Sequence, residues 1–190
     1  MKRVVIFASG SGSNAENIFN QTKEKITITG IFTNKTTAGV IDRANRLGIP
    51  VFTFTKDELN EVNSRLYKKL SSVGFDLIVL AGFLLKIPNE LIKFSNNRII
   101  NIHPSLLPKY GGKGMYGLNI HKEVLLNKEK FSGLTIHYVN KEYDKGAVIF
   151  QKKIKINEKE TPESLSSKVL KLEHENYSLI IEKILSNEGL

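Results

Sequence analysis

Asn101 and His103 stand two residues apart at the end of an apolar run, in the octapeptide Asn101-Ile102-His103-Pro104-Ser105-Leu106-Leu107-Pro108. In an extended strand residues i and i+2 project from one face, so the amide and the imidazole converge on one small group while Ile102 packs behind them. A neutral donor beside a donor that can also carry charge suits an oxyanion, because pre-aimed donors act where negative charge develops in a transition state. Pro104 disfavours the helical region for the residue before it and so keeps His103 extended; Pro108 pins the far end of the loop. A lone histidine at a strand end most often fills a structural need. The full string of eight is far more specific.

A charged imidazole needs a partner, and Asp144 in Tyr143-Asp144-Lys145-Gly146 is the natural supplier. A close carboxylate favours the imidazolium form, although an aspartate before glycine in a polar connection also reads as a plain turn residue. A third feature is Ser9-Gly10-Ser11-Gly12-Ser13-Asn14, where small residues let a backbone approach a ligand and the first N–H groups of a following helix lack internal partners. A phosphate ester fits there, and so does a tight turn capped by Ser13 or Asn14. Gly10-x-Gly12-x-x-Ala15 also satisfies a dinucleotide fingerprint in its weakest form, but the second strand ends in Thr33-Asn34-Lys35, without the acidic residue a ribose would need. Only an NADP-dependent enzyme, with Lys35 meeting a 2′-phosphate, survives as that rival. His121, His137 and His174 lack metal-ligand spacing; His121 falls on a helix and His137 on a late strand, each as a structural residue.

The elements that must carry these groups follow from the apolar pattern. Strands are expected at Val4 to Ala8, Ile28 to Phe32, Val51 to Phe54, Leu77 to Ala81 and Ile99 to Ile102. Helices are expected from Ala15 to about Lys25, Gly39 to Leu47, Glu58 to Val73 and Asn89 to about Phe94. Several strands are continuous apolar runs, which implies burial on both faces and a parallel sheet. After Pro108 come a Gly-rich loop, a helix from Leu118 to Asn127, and two strands, Gly133 to Val139 and Ala147 to Ile156, that pair antiparallel. Thr161-Pro162-Glu163 opens a long amphipathic helix. The expected fold is α/β: a Rossmann-like open twisted sheet, mostly parallel with antiparallel late strands and helices on both faces. With no repeat or composition break, residues 1–190 read as a single domain, its N-terminal half (about 1–100) binding phosphate and its C-terminal half (about 101–190) carrying catalysis.

Composition narrows the function classes. The absence of cysteine excludes a thiolate zinc site, a thiol nucleophile and a disulfide framework, and fits a cytoplasmic protein. No apolar run reaches the roughly 20 residues of a membrane helix, and no membrane role is expected. The net charge of +9 invites nucleic acid, yet lysine outnumbers arginine 23 to 5 and is scattered, where base edges and phosphates would call for arginine in a patch. Anionic small molecules are the expected partners.

Taken together, Ser9 to Asn14, Ala81-Gly82-Phe83, Asn101 to Pro108 and His137-Tyr138-Val139 followed by Asp144-Lys145-Gly146 resemble the phosphoribosylglycinamide formyltransferase family, nearly end to end. The resemblance implies transfer of a formyl group from 10-formyltetrahydrofolate, as cosubstrate, to the amine of 5-phosphoribosylglycinamide in purine biosynthesis, without a metal. It places catalysis on Asn101, His103 and Asp144. Substrate contacts fall on Gly12, Ser13, Asn14 and Glu173, and folate contacts on Arg65, Leu84, Leu85, Lys86, Ile87 and Asn101. Where members often carry a basic residue two after the Gly-Phe pair, this chain has Leu85, with Lys86 next; its Gly111-Gly112-Lys113-Gly114-Met115-Tyr116 loop is longer than in many members. Relatives of the scaffold supply rivals: a formyltetrahydrofolate hydrolase, another formyltransferase such as one acting on methionyl-tRNA, or a non-catalytic phosphate- or folate-binding protein. The first two types carry an extra domain, and the chain length is expected to favour the small-molecule transferase. A monomer and a homodimer are both compatible with the sequence.

Overall fold

The computed structural model describes residues 1–186. Five parallel strands, β1 (Lys2–Phe7), β2 (Ile26–Thr33), β3 (Val51–Thr53), β4 (Leu77–Leu80) and β5 (Ile99–His103), are extended by antiparallel β6 (Phe131–Tyr138) and β7 (Val148–Lys155). The sheet order is β3-β2-β1-β4-β5-β6-β7. Each expected strand is present, with ends displaced by one or two residues.

Period-two alternation along β1 explains why helices cover both faces. Val4, Ile6 and Ala8 enter one apolar cluster, with α1 (Ser13–Thr22), α2 (Val40–Arg46) and α7 (Pro162–Ser186). Val5 and Phe7 enter the other, with α3 (Lys56–Asn60), α4 (Arg65–Val73) and α5 (Asn89–Phe94). All five of these residues, Ala8 standing just past the end of β1, are fully buried, as a strand covered on both sides must be. A smaller cluster joins α6 (Leu118–Leu126) to α7 through Ile120, Val124, Leu165 and Val169.

The helix expected over Glu58 to Val73 is two helices. Thr55 and Glu58 form a reciprocal capping box that starts α3, and α4 starts afresh after Ser64. Leu59, Leu66 and Leu70 are all buried in one cluster, so the helical phase continues across a break that the apolar pattern conceals. At α7 the cap is as expected: the Ser164 amide donates to Thr161 Oγ1 at 3.1 Å and the Thr161 amide to Ser164 Oγ at 2.9 Å.

The chain reverses its direction of progress across the sheet between β1 and β4, and this opens a crevice beyond their C-terminal ends. The two loops that leave there are tied together. Ser9 N–H donates to the Gly82 carbonyl at 3.0 Å, and Leu84 N–H donates to Ser9 Oγ at 3.1 Å. Tyr177 of α7 reaches across, donating its buried hydroxyl to the Leu80 carbonyl at 2.9 Å. The C-terminal edge of the sheet is thus held by side chains as well as by its ladder.

Candidate active site

β5 lies between β4 and β6, and its last residues emerge into the crevice. Asn101 stands opposite His137 in the antiparallel register and His103 opposite Thr135. Thr135 then organises the octapeptide: its hydroxyl donates to the Ser105 carbonyl at 2.7 Å and accepts from the Leu107 amide at 3.0 Å. The chain beyond His103 is therefore anchored to β6 by a single buried side chain.

Asp144 comes to the same place from the β6–β7 connection, 41 positions after His103 in sequence. Its backbone is left-handed (φ 54°), and the turn holding it depends on Gly146, where a Cβ would collide with the Tyr138 carbonyl oxygen. Asp144 Oδ2 accepts the Gly112 amide at 2.8 Å and lies 3.7 Å from His103 Nδ1, while Oδ1 lies 3.7 Å from His137 Nε2. Asn101, His103 and Asp144 are thus brought together as their spacing and the resemblance anticipate.

The tautomers follow from the partners, since a carbonyl oxygen can only accept. His103 Nε2 faces the Tyr110 carbonyl at 2.8 Å and so carries a hydrogen. His137 Nδ1 faces the Tyr138 carbonyl at 2.8 Å and carries its hydrogen there. His137 Nε2, 3.1 Å from Asn101 Nδ2, is then the acceptor for one amide hydrogen. Burial is the main influence that lowers the His137 pKa, which favours this neutral form. The ring thereby fixes which end of the Asn101 amide faces the cavity side. His137, expected to be structural, is a direct neighbour of Asn101 and Asp144; the signal that finds it is cross-strand register, which periodicity does not supply.

A cavity of about 420 Å³ opens over these groups, lined among others by Asn14, Leu84, Asn101, His103, Asp144 and Glu173, and bounded by the Gly112 to Gly117 loop. Gly12, with φ 81°, caps the start of α1, and a Cβ on it would lie 2.5 Å from Val40 Cγ2. Gly12 and Ser13, next to Asn14 in the chain, do not line the cavity themselves. Asn14 Nδ2 donates to Glu173 Oε2 at 2.7 Å, and Asn14 Oδ1 is buried without a partner. Burial raises the Glu173 carboxyl to about 7. His121 of α6 is also enclosed; burial, with the nearby His103 contributing, pushes it down to about 4, and its Nδ1 has no partner.

Leu85, Lys86 and Ile87 line a narrower slot of about 50 Å³ that also reaches Asn101, His137 and Asp144. Arg65 is not part of either space. Its Nε pairs with Glu58 Oε1 at 2.9 Å, its Nη2 donates to the Thr53 carbonyl at 3.1 Å, and its guanidinium lies 5.0 Å from the Phe52 ring centroid. These local partners hold Nε and Nη2 and leave Nη1 outside the pairing. Ser9 Oγ donates to Asn34 Oδ1 at 2.6 Å, so Asn34, which stands where a dinucleotide site wants an acid, is committed to the loop. Among the described residues no group of three or more His, Cys, Asp or Glu is placed to hold a metal, and no helix is long and apolar enough to cross a membrane.

The formyl transferase family model matches residues 2–181. The phosphoribosylglycinamide formyltransferase of Bacillus subtilis is 36% identical over 197 residues, covering 100% of this chain and 98% of that protein. The chloroplastic phosphoribosylglycinamide formyltransferase of Arabidopsis thaliana is 39% identical over 96% of this chain, which spans 65% of that relative's length. The crystal structure of phosphoribosylglycinamide formyltransferase from Bacillus halodurans superposes with a TM-score of 0.88 at 34% identity, covering 99% of this chain and 97% of the other. With full-length similarity of sequence and of fold added to the meeting of Asn101, His103 and Asp144, the chain belongs to the phosphoribosylglycinamide formyltransferase family.

Proposed function

We propose that this protein transfers the formyl group of 10-formyltetrahydrofolate to the amine of 5-phosphoribosylglycinamide, a step of purine biosynthesis. One observation carries the reading: the end of β5 and the distant β6–β7 connection together deliver an amide, an imidazole and a carboxylate to one cavity at the C-terminal edge of the sheet. The amine attacks the formyl carbon and a tetrahedral oxyanion forms. Asn101, with one amide hydrogen held by His137, offers the other to that oxygen. Protonation of His103 places positive charge at the cavity wall, with Nε2–H held by Tyr110 and Nδ1–H turned toward Asp144. Donors fixed in advance in this way pay no reorganisation cost as the charge develops. Proton transfer from the amine to the departing folate nitrogen passes through water beside Asp144.

The substrate phosphate is assigned to the turn at Gly12, Ser13 and Asn14, where the first amides of α1 lack helical partners. The glycinamide end is assigned to Glu173, the pterin end to Asn101 and to Leu84 through Ile87. The folate contact that the resemblance gives Arg65 is assigned to Nη1, the guanidinium nitrogen that Glu58 and Thr53 do not hold. The test is a formyl-transfer assay with 5-phosphoribosylglycinamide, water and methionyl-tRNA as parallel acceptors. Formylated glycinamide ribonucleotide as the dominant product is the expected result. Donor consumption with water alone, or binding without turnover, would overturn the proposal in favour of a hydrolase or a sensor.

A further inference from the structure

A phosphate monoester carries about one and a half to two negative charges at pH 7, and the reaction cavity offers little fixed positive charge to meet it. Among the described residues that line it, Asp144 and Glu173 are acids, His103 is a titrating imidazole, and Lys113 is the only lysine or arginine. Lys113 takes part in no ion pair among the described residues, although Lys25, Lys109, Lys145 and Lys168 each do. Asn14 cannot supply the missing charge. Its Nδ2 is given to Glu173, and its buried Oδ1 is an acceptor without a partner, which calls for a donor and not for a phosphate oxygen.

The turn that carries Lys113 is fixed at its base. The Gly112 amide donates to Asp144 Oδ2 at 2.8 Å, the Met115 amide closes the turn onto the Gly112 carbonyl at 3.1 Å, and Met115 packs against the apolar cluster of α6 and α7. Gly114, third of the four turn residues, has φ 89°, the sign that a type II turn demands at that position. A Cβ on Gly114 would meet nothing within 4 Å, so glycine serves the backbone there and not a close approach. Lys113 thus stands at the tip of a turn anchored on the carboxylate that faces His103, and its flexible stem ends in a compact point charge with three donors. It lines the reaction cavity but not the narrower slot assigned to the pterin, whose lysine is Lys86. The charge therefore belongs to the acceptor's side of the site. Resting on the formyl-transfer reading above, we propose that Lys113 binds the phosphate of 5-phosphoribosylglycinamide together with the amides of the Gly12 to Asn14 turn, and so selects the phosphorylated acceptor over the unphosphorylated riboside.

The experiment measures formyl transfer to 5-phosphoribosylglycinamide and to glycinamide riboside by the wild-type protein, Lys113→Met and Lys113→Arg, beside calorimetric binding of ribose 5-phosphate. Lys113→Met should raise the KM for the phosphorylated acceptor by about tenfold or more, the worth of one charge-assisted contact, with little change in kcat or in the KM for the formyl donor. The preference for ribotide over riboside in kcat/KM should shrink by the same factor. Affinity for ribose 5-phosphate should fall in parallel, and Lys113→Arg, which keeps the charge, should recover most of both losses. An unchanged preference would overturn the proposal, whether neither acceptor is affected or both lose equally, as they would if the substitution only disturbed the turn. A rise confined to the donor KM would overturn it as well, by moving the charge to the folate. If the wild-type protein formylates neither acceptor, the formyl-transfer reading fails by itself, and the ribose 5-phosphate affinities of the three proteins still decide the phosphate contact.

Discussion

At the scale of single residues, the site is a set of commitments made in advance. The Asn101 amide is committed at one hydrogen to His137 and free at the other, and His103 is held at Nε2 by a backbone carbonyl. Replacing Asn101 or His103 by alanine should leave a cooperatively folding protein whose turnover falls by two to three orders of magnitude, the usual cost of one oxyanion donor; near-normal kcat in either variant would remove that residue from the mechanism. His137 acts on the reaction chiefly by positioning Asn101, its hydrogen-bond partner. His137→Ala should therefore lower kcat by about tenfold, roughly 1.4 kcal/mol, with little change in KM, because the amide loses the acceptor that decides which way it faces. His137→Gln retains an acceptor and should recover much of the loss. Steady-state parameters for both variants, set beside their melting curves, separate this positioning role from a purely structural one, under which kcat would not recover with glutamine.

At the scale of elements, the strands were legible because burial on both faces writes itself as an unbroken apolar run, as in Val4 to Ala8 and Leu77 to Ala81. The i, i+2 relation of Asn101 and His103 was legible for a related reason, since any extended segment imposes it. The break between α3 and α4 was not, because Leu59 and Leu66 stay in phase across it, though Thr55 and Glu58 carried the capping signal. The partnership of His137 with Asn101 depends on how β6 is registered against β5, a tertiary property with no local signature. Arg65 illustrates a different case: the resemblance gave it a ligand, and the structure adds a neighbouring carboxylate that holds its Nε. The β6–β7 connection is the element most exposed to backbone substitution. Gly146→Ala forces a Cβ into the Tyr138 carbonyl, and the turn must shift to accommodate it. The expected cost is about 1–3 kcal/mol of stability, with a loss of kcat larger than that destabilisation explains, because Asp144 moves with the turn. Urea denaturation and kcat measured on the same preparation check this; an unchanged kcat would show that Asp144 keeps its place by other means.

At the scale of the whole molecule, two buried titratable groups lean in opposite directions and give the fold a pH response that neither produces alone. His121 is held down to about 4 in the folded protein, against about 6.5 when unfolded. Below pH 6.5 the unfolded chain takes a proton that the folded one refuses, so stability falls as pH drops toward 4, by up to about 3 kcal/mol. Glu173 is held up to about 7, against about 4.3 when unfolded. Its carboxyl favours the folded state fully below the unfolded value, and that advantage is lost as pH rises through 7, again by up to about 3 kcal/mol. Between about pH 4.5 and 6.5 the two slopes oppose each other, and their contributions to the wild-type profile largely cancel. Asn14 can still donate to the amide oxygen of glutamine, so Glu173→Gln removes the titration while keeping the bond; that variant should lose stability as pH falls from 6.5 to 4. His121→Asn removes the other titration and should instead lose stability as pH rises from 4.5 to 7. Urea midpoints at half-unit pH steps give the slopes directly, and two variants with the same slope as the wild-type protein would show that neither group titrates differently on folding.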